Sequence, residues 1–385
     1  MGKIVLIFKK EVLEARRDSR TFYTCIITPL LIYPLLFITL GYFIQHEQKR
    51  ERSLTYRIGV INESPASGLL NLIEATKRFE IVKGNDQMVL FAKEKVTLVL
   101  EIKESEEIVI SYDGADKASQ RALARIDSLI SQYQDAVIRR RIIANGLPET
   151  ILAPIPVRKE NIAPVQRMGG FILGILIPYI LIIASFQGAM RAAFDITTGE
   201  KERKTIETLL ASDVKRGEIV MGKCLTTFLF SFLAATAGMS GLIITLQTGF
   251  FVLSHRVEEV TAVIPWLSCL LILVIMIPLL WLFSSFLIAV GSFARSTKQA
   301  TTYGSYCLIG VIVLAVISVV RLASPEKIMF YLPVVNIAIS QQQILVGKVD
   351  FLNLIIAIGS TIFYAGIAYH FAHHNFKKEE ILLRI

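Results

Sequence analysis

Six runs of roughly 20 apolar residues, none containing Asp, Glu, Lys or Arg, limit what this chain can fold into. They cover 22–44, 168–190, 225–247, 265–293, 301–320 and 351–371. Each is long enough to cross a bilayer core as a helix, the one conformation that satisfies every peptide group within a single segment there. With 53% hydrophobic residues and a mean hydropathy of +0.56 over 385 residues, a soluble globular fold is excluded. The expected class is an α-helical polytopic membrane protein with six transmembrane helices. The fourth run is over-long, and Pro278 predicts a tilt or kink there.

Lysine and arginine set the expected orientation. They crowd the segment 1–21 (Lys3, Lys9, Lys10, Arg16, Arg17, Arg20) and the loop 191–224. Arg295, Lys298 and the tail 372–385 fall on the same side. The opposite short loops hold only Arg256, Arg321, Lys327 and Lys348. Both termini are therefore expected in the cytoplasm, and the net charge of +9 reflects this bias, not a nucleic-acid partner. Residues 1–21 read as a cytoplasmic interfacial helix, with Ile4, Phe8, Val12 and Ala15 along one side and anionic headgroups attracting the rest. The first run exceeds a signal-peptide core in length, and no small-residue cleavage site follows it.

Residues 45–167 have the hydropathy of a soluble domain, expected outside the cytoplasm between the first and second spans. Strands are predicted at 56–61, 79–82, 96–102, 108–112 and 151–157, with helices at 67–78 and 116–145. The long helix has a stop signal, Asn145-Gly146-Leu147-Pro148. This is an α+β pattern large enough for one core. It contains no cysteine, and its one histidine is His46 at the edge. Asp113 and Asp116 read as helix caps, and Glu104, Glu106 and Glu107 as a solvated turn, so no catalytic site is expected. The four cysteines of the chain lie in or beside apolar runs, and no zinc-ligand spacing occurs.

The most charged stretch between two spans is GEKERKTIETLLASDVKRGEIVMGK, residues 199–223. At helical spacing Ile206, Leu209, Leu210 and Val214 make an apolar ridge. Glu200 with Lys204 and Arg203 with Glu207 make i,i+4 pairs on the other side. A short amphipathic helix on the membrane surface is the expectation, either solvated or gripped by a soluble partner. The order Glu202, Arg203, Thr205, Glu207, Leu209, Leu210, Ser212 resembles the cytoplasmic signature of the type-2 ABC exporter permeases. Lys204 stands where glycine is commoner in that family, and Asp213 where proline is usual. FKKEVLEARRDSRTF, running into Pro29 and Pro34, also resembles the start of those permeases. The resemblance implies that Glu200, Glu202, Arg203, Thr205, Ile206, Glu207, Leu209 and Leu210 couple the chain to an ATPase subunit.

Inside the spans the polar residues are hydroxyls and amides. Thr227, Ser231, Ser284 and Ser285 recur along the third and fourth runs. Such hydroxyls mostly bond their own helix, and a minority line a polar path. Gly170/Gly174, Ala234/Gly238 and Ala237/Gly241 are small-residue pairs that permit close helix packing. Between the last two spans, 330–345 is apolar but too short to cross, and carries Asn336, Ser340, Gln341 and Gln342 after Pro333. A re-entrant pair of half-helices fits this 321–350 segment, the alternative being a surface amphipathic helix; the resemblance favours re-entry. Asn336, Ser340, Gln341 and Gln342 join the hydroxyls as possible path residues.

No GxxxxGK[ST] phosphate loop is present, so a pump built on this chain borrows its ATPase from another polypeptide, which carries the ATP and Mg²⁺. No cofactor or metal is assigned to this chain. A proton-coupled carrier is disfavoured, because the spans contain no carboxylate relay. Length, layout and the terminal FKKEEILLR resemble the permease half of a sodium-extruding ABC exporter. That implies two permease copies and two cytoplasmic ABC ATPase subunits. Relatives of similar layout export drugs, antimicrobial peptides or lipids, and a membrane receptor or scaffold signalling to a cytoplasmic partner is the non-transport alternative.

Overall fold

The computed structural model describes residues 2–61, 67–76, 78–82, 86–103, 107–148, 165–247, 266–320 and 325–378. The chain divides into a helical unit, Met1–Ile44 with Ile162–Ile385, and a second unit, Gln45–Asn161. The expected strand at 151–157, together with Glu104 and Glu106, falls outside the described residues.

In chain order the elements are α1 (Lys3–Arg17), short helical turns at Ser19–Phe22 and Tyr23–Ile27, and α2 (Thr28–Ser53). Then come β1 (Tyr56–Ile61), α3 (Ser67–Ala75), β2 (Phe79–Val82), α4 (Gln87–Ala92), β3 (Leu98–Ile102), β4 (Ile108–Tyr112) and α5 (Lys117–Ala144). The helical unit resumes with α6 (Val165–Phe194), a π turn (Asp195–Gly199), a single turn (Glu200–Glu202) and α7 (Thr205–Leu210). It ends with α8 (Arg216–Gln247), α9 (Trp266–Phe293), α10 (Thr297–Val320), a 3₁₀ turn (Lys327–Tyr331), α11 (Val335–Val346) and α12 (Phe351–Lys377).

The second unit holds one mixed sheet in the order β2-β1-β3-β4. β1 runs parallel to β2 and β3, with Ile58 opposite both Ile81 and Leu98, and β4 is antiparallel to β3. Two strand–helix–strand crossovers produce the parallel part. The helix of the second crossover, α4, went unrecognised in the sequence because it is six residues long. Its start is fixed by Asp86, which accepts from the Val89 N–H. Ile58, Leu69, Ile73, Leu98, Leu100, Ala122 and Ile126 close the core between sheet and helices. α5 starts where Asp116 accepts from the Ala118 and Ser119 N–H groups, and stops before Gly146, whose φ of 71° only glycine adopts freely.

Among the described residues, six helices of the chain are long and apolar enough to cross a membrane. More than half of each apolar stretch in α6, α8 and α9 is buried, against under a quarter in α2, α10 and α12. The first three are the centre of the helical unit and the others its periphery. Small residues allow the centre to close. A methyl at Gly188 of α6 would lie 2.5 Å from the Ala234 side chain of α8, and one at Gly241 would lie 2.5 Å from the Leu30 carbonyl oxygen of α2. α11 is buried almost throughout, from Val335 to Leu345, which excludes the surface-helix alternative. Among the described residues of 321–350, this helix is preceded by a 3₁₀ turn.

Candidate functional site

The signature segment is not one helix. Lys204 takes the left-handed conformation, φ 59°, and divides Glu200–Glu202 from α7. The break points the first turn inward, where Glu200 and Lys201 are 3% and 4% exposed. The expected pairing within the segment is replaced by pairing outside it. Glu200 meets Lys10 at 2.6 Å and Lys223 at 2.7 Å, while Arg203 meets Asp195 at 3.0 Å. Lys223, fully buried on α8, also binds Glu11 of α1 at 2.9 Å and donates to the Ile196 carbonyl at 2.6 Å.

α1 takes part because of a carboxylate on its apolar side. Ile7, Glu11 and Ala15 form its buried stripe, flanked by the half-buried Ile4, Phe8 and Val12. Burial pushes the Glu11 carboxyl above its usual range, with the Lys223 ammonium pulling it back. For Lys10 burial acts downward, yet Glu11, Glu200 and Glu14 outweigh it and hold the ammonium above its usual value. The oxygens of Glu11, Glu14 and Glu200 gather within 4.8 Å of one another, a spacing that also suits a metal ion. Lys10 sits among all three, at 3.4, 3.3 and 2.6 Å, and fills the place of such a cation.

The neighbouring side chains hold two more helix ends. Lys201 donates to the Ser292 carbonyl and, at 3.1 Å, to that of Ala294, satisfying the C-terminus of α9. Glu202 accepts from the Thr297 N–H at 2.7 Å and its hydroxyl at 2.8 Å, capping α10. Three consecutive residues thus tie the segment to α1, α8, α9 and α10. Arg216 donates to the Lys377 carbonyl, bringing the end of α12 to the same end of the unit.

α7 carries the rest of the predicted coupling set. Ile206 is 3% exposed, and Leu209 and Leu210 are half-buried against the main core of the helical unit. The apolar ridge therefore seats the segment on its own chain. Glu202, Arg203, Lys204, Thr205, Glu207 and Thr208 are left exposed.

The predicted path residues divide into two groups, and all eight are buried. Ser231 donates to the Ser185 carbonyl, Ser340 to the Asn336 carbonyl, and Gln342 to the Ser318 hydroxyl at 3.5 Å. Asn336 donates to Ala357, Ser360 and Thr361 on α12, at 2.9–3.0 Å. In contrast, Thr227, Ser284 and both amide atoms of Gln341 have no hydrogen-bond partner among the described residues. Ser285 lies beside the Cys224 thiol, bringing this part of α9 against α8.

The charge cluster went unrecognised in the sequence, although its signal is there: Glu11 interrupts an apolar stripe spaced four and three residues apart, and Lys223 adjoins the third apolar run. Comparison with known proteins covers nearly the whole chain. Residues 22–370 match the model of the ABC-2 family transporter protein. The ABC transporter permease protein NatB of Bacillus subtilis (strain 168) is 24% identical over 400 aligned residues, spanning 98% of each chain. With its six apolar helices and its signature segment lodged among their ends, this chain belongs to the ABC-2 family, as a permease subunit of an ABC transporter.

Proposed function

We propose that this permease extrudes Na⁺ from the cytoplasm, driven by a separate NatA-like ATPase that binds ATP and Mg²⁺. Two permease copies and two ATPase copies make the transporter. The observation that carries the coupling role is the attachment of Glu200, Lys201 and Glu202 to four helices, at Lys10 of α1, Lys223 of α8, the end of α9 and the start of α10. A push on the exposed residues around Glu207 is then delivered to α1, α8, α9 and α10 together. The positive bias puts the signature segment and both termini in the cytoplasm, and the sheet-bearing unit outside. The similarity to NatB supports sodium as cargo.

One feature favours a second cargo class. A groove of about 400 Å³ between α9, α10 and α12, lined by Phe286, Val290, Phe293, Cys307 and Phe371, suits an amphipathic compound.

Reconstitution with the purified ATPase tests both readings through radiosodium flux with and without ATP. Glu207→Lys is expected to cut ATPase capture and ATP-driven flux by about tenfold while leaving the thermal midpoint of the permease unchanged. Undiminished capture would remove the coupling assignment. ATP hydrolysis stimulated by amphipathic compounds but not by Na⁺ would transfer the cargo to the second class.

A further inference from the structure

α11 carries two fully buried amides in opposite circumstances. Asn336 spends its NH₂ on α12, and its oxygen accepts from the Ile337 N–H at 2.7 Å. Gln341, also 0% exposed, uses neither amide atom. Helical spacing puts Gln341 on one face with Ile337, Ala338, Ile344 and Leu345. Those four belong to the main apolar core, together with Ile177 and Leu181 of α6 and Ile272 and Met276 of α9. A carboxamide in the middle of such a core loses its hydration with nothing in return, while a leucine would fill similar space without that loss. The amide makes sense only if something other than protein meets it.

We propose that Gln341 is a hydrated station in the bundle. In the working transporter its NH₂ donates to water, and its carbonyl oxygen faces the hydrated side of a small cation on its way through. A carboxamide oxygen is a hard ligand of the kind such cations take in exchange for water. Thr227 and Ser284, buried with unengaged hydroxyls, supply further oxygens of the same kind elsewhere along the bundle. The cation rests on the sodium reading above; the hydration does not.

Cysteine accessibility separates the two. Gln341→Cys and Val335→Cys are compared in a chain whose native Cys25, Cys224, Cys269 and Cys307 are replaced by alanine. Val335 is the control because it packs into a different, purely apolar cluster with Phe330, Ile339 and Ala357. During ATP turnover with the ATPase, a small hydrophilic thiosulfonate is expected to modify Gln341→Cys at least about tenfold faster than Val335→Cys. Equal rates, or no reaction at either position, overturn the proposal. Gln341→Leu supplies the second measurement and decides should the cysteine chains not assemble. It is expected to keep the thermal midpoint and ATPase capture while losing radiosodium flux about tenfold. Unchanged flux makes the amide a dry structural residue and also overturns the station. Selective labelling without radiosodium flux in the unsubstituted protein leaves the station standing and removes sodium as cargo. Flux without labelling does the reverse.

Discussion

Around Lys223 burial is compensated: one ammonium reaches two carboxylates and a carbonyl, and Lys10 reaches both of those carboxylates again. Around Gln341, on another helix of the same unit, burial is uncompensated and both amide atoms stand alone. The difference teaches what each region is built to do. Mutually satisfied charges fix α1, α8 and the signature segment in one arrangement, because moving any of them exposes an unpaired ion to a low dielectric. A lone amide fixes nothing and costs least in the state where water reaches it. Under the proposed function, rigidity lies where the ATPase pushes, and adaptability where the cargo passes. One oxygen of Glu11 lacks a partner even in the compensated region, which marks the weak point of the cluster.

The largest effect is expected from Lys223→Met. It leaves Glu11 and Glu200 buried with Lys10 as the remaining ammonium, and breaking such a pair costs about 3–5 kcal/mol. The thermal midpoint of the purified permease should fall sharply, and α1 should become sensitive to protease. Adding Glu11→Gln removes the stranded charge and should recover most of the loss. The defect also has a pH sign. Glu11 is already held above its usual value, so in the folded state it takes up a proton more readily than in the unfolded chain. Stability from this group is present at low pH and is lost as pH rises through the raised value, so the Lys223→Met defect should shrink on acidification. A midpoint that ignores the single substitution would mean the cluster is solvated, and the contrast with Gln341 would disappear.

An intermediate effect sharpens the contrast within α11 itself. Asn336→Leu strands the hydrogen bonds to Ala357, Ser360 and Thr361 and should cost about 1–3 kcal/mol. Gln341→Leu, one and a half turns along, should cost nothing and can raise the midpoint. Differential scanning fluorimetry on the two purified variants checks this. Equal losses would put the two amides in one class.

Much of this was legible in the sequence, and the part that was not has a physical reason. Apolar runs announce α6, α8, α9, α10 and α12 because length and lack of charge are local properties. The ends of α5 were equally legible, since Asp116 and Gly146 act through neighbouring backbone. Glu200 illustrates the limit. Local spacing pairs it with Lys204, yet its partners lie 190 and 23 residues away. Nothing in the segment reports that α1 will stand beside it. The same holds for Leu209 and Leu210, whose ridge pattern is real but is used by the permease's own core. Amphipathic spacing shows that a face is covered, not by what. Gln341 and Asn336 look alike in the sequence and differ only in what the fold sets opposite each.

The smallest effect concerns the residue that makes the compensated region possible. Lys204 must turn left-handed so that Glu200 and Lys201 face inward while α7 lies along the surface of the unit. For an L-residue with a Cβ, that conformation costs roughly 1–2 kcal/mol, and glycine adopts it without the clash. Glycine being the commoner residue at this place in the signature has its explanation here: the break is a backbone requirement. The Lys204 side chain is exposed, so removing it sacrifices little burial. Against the relief stands the greater freedom glycine gives the unfolded chain, about 0.5–1 kcal/mol. Lys204→Gly should therefore raise stability by no more than about 1 kcal/mol, with ATPase capture retained. Lys204→Val is the opposing variant, because a β-branched side chain is excluded from positive φ more strongly than lysine. It should lower the midpoint and weaken capture, as the break straightens and Glu200 is drawn from Lys10 and Lys223. Thermal midpoints and ATPase pull-down on the two variants read the outcome. Should glycine destabilise and valine do no harm, the segment would be a continuous helix, and the inward turn of Glu200 would have no cause.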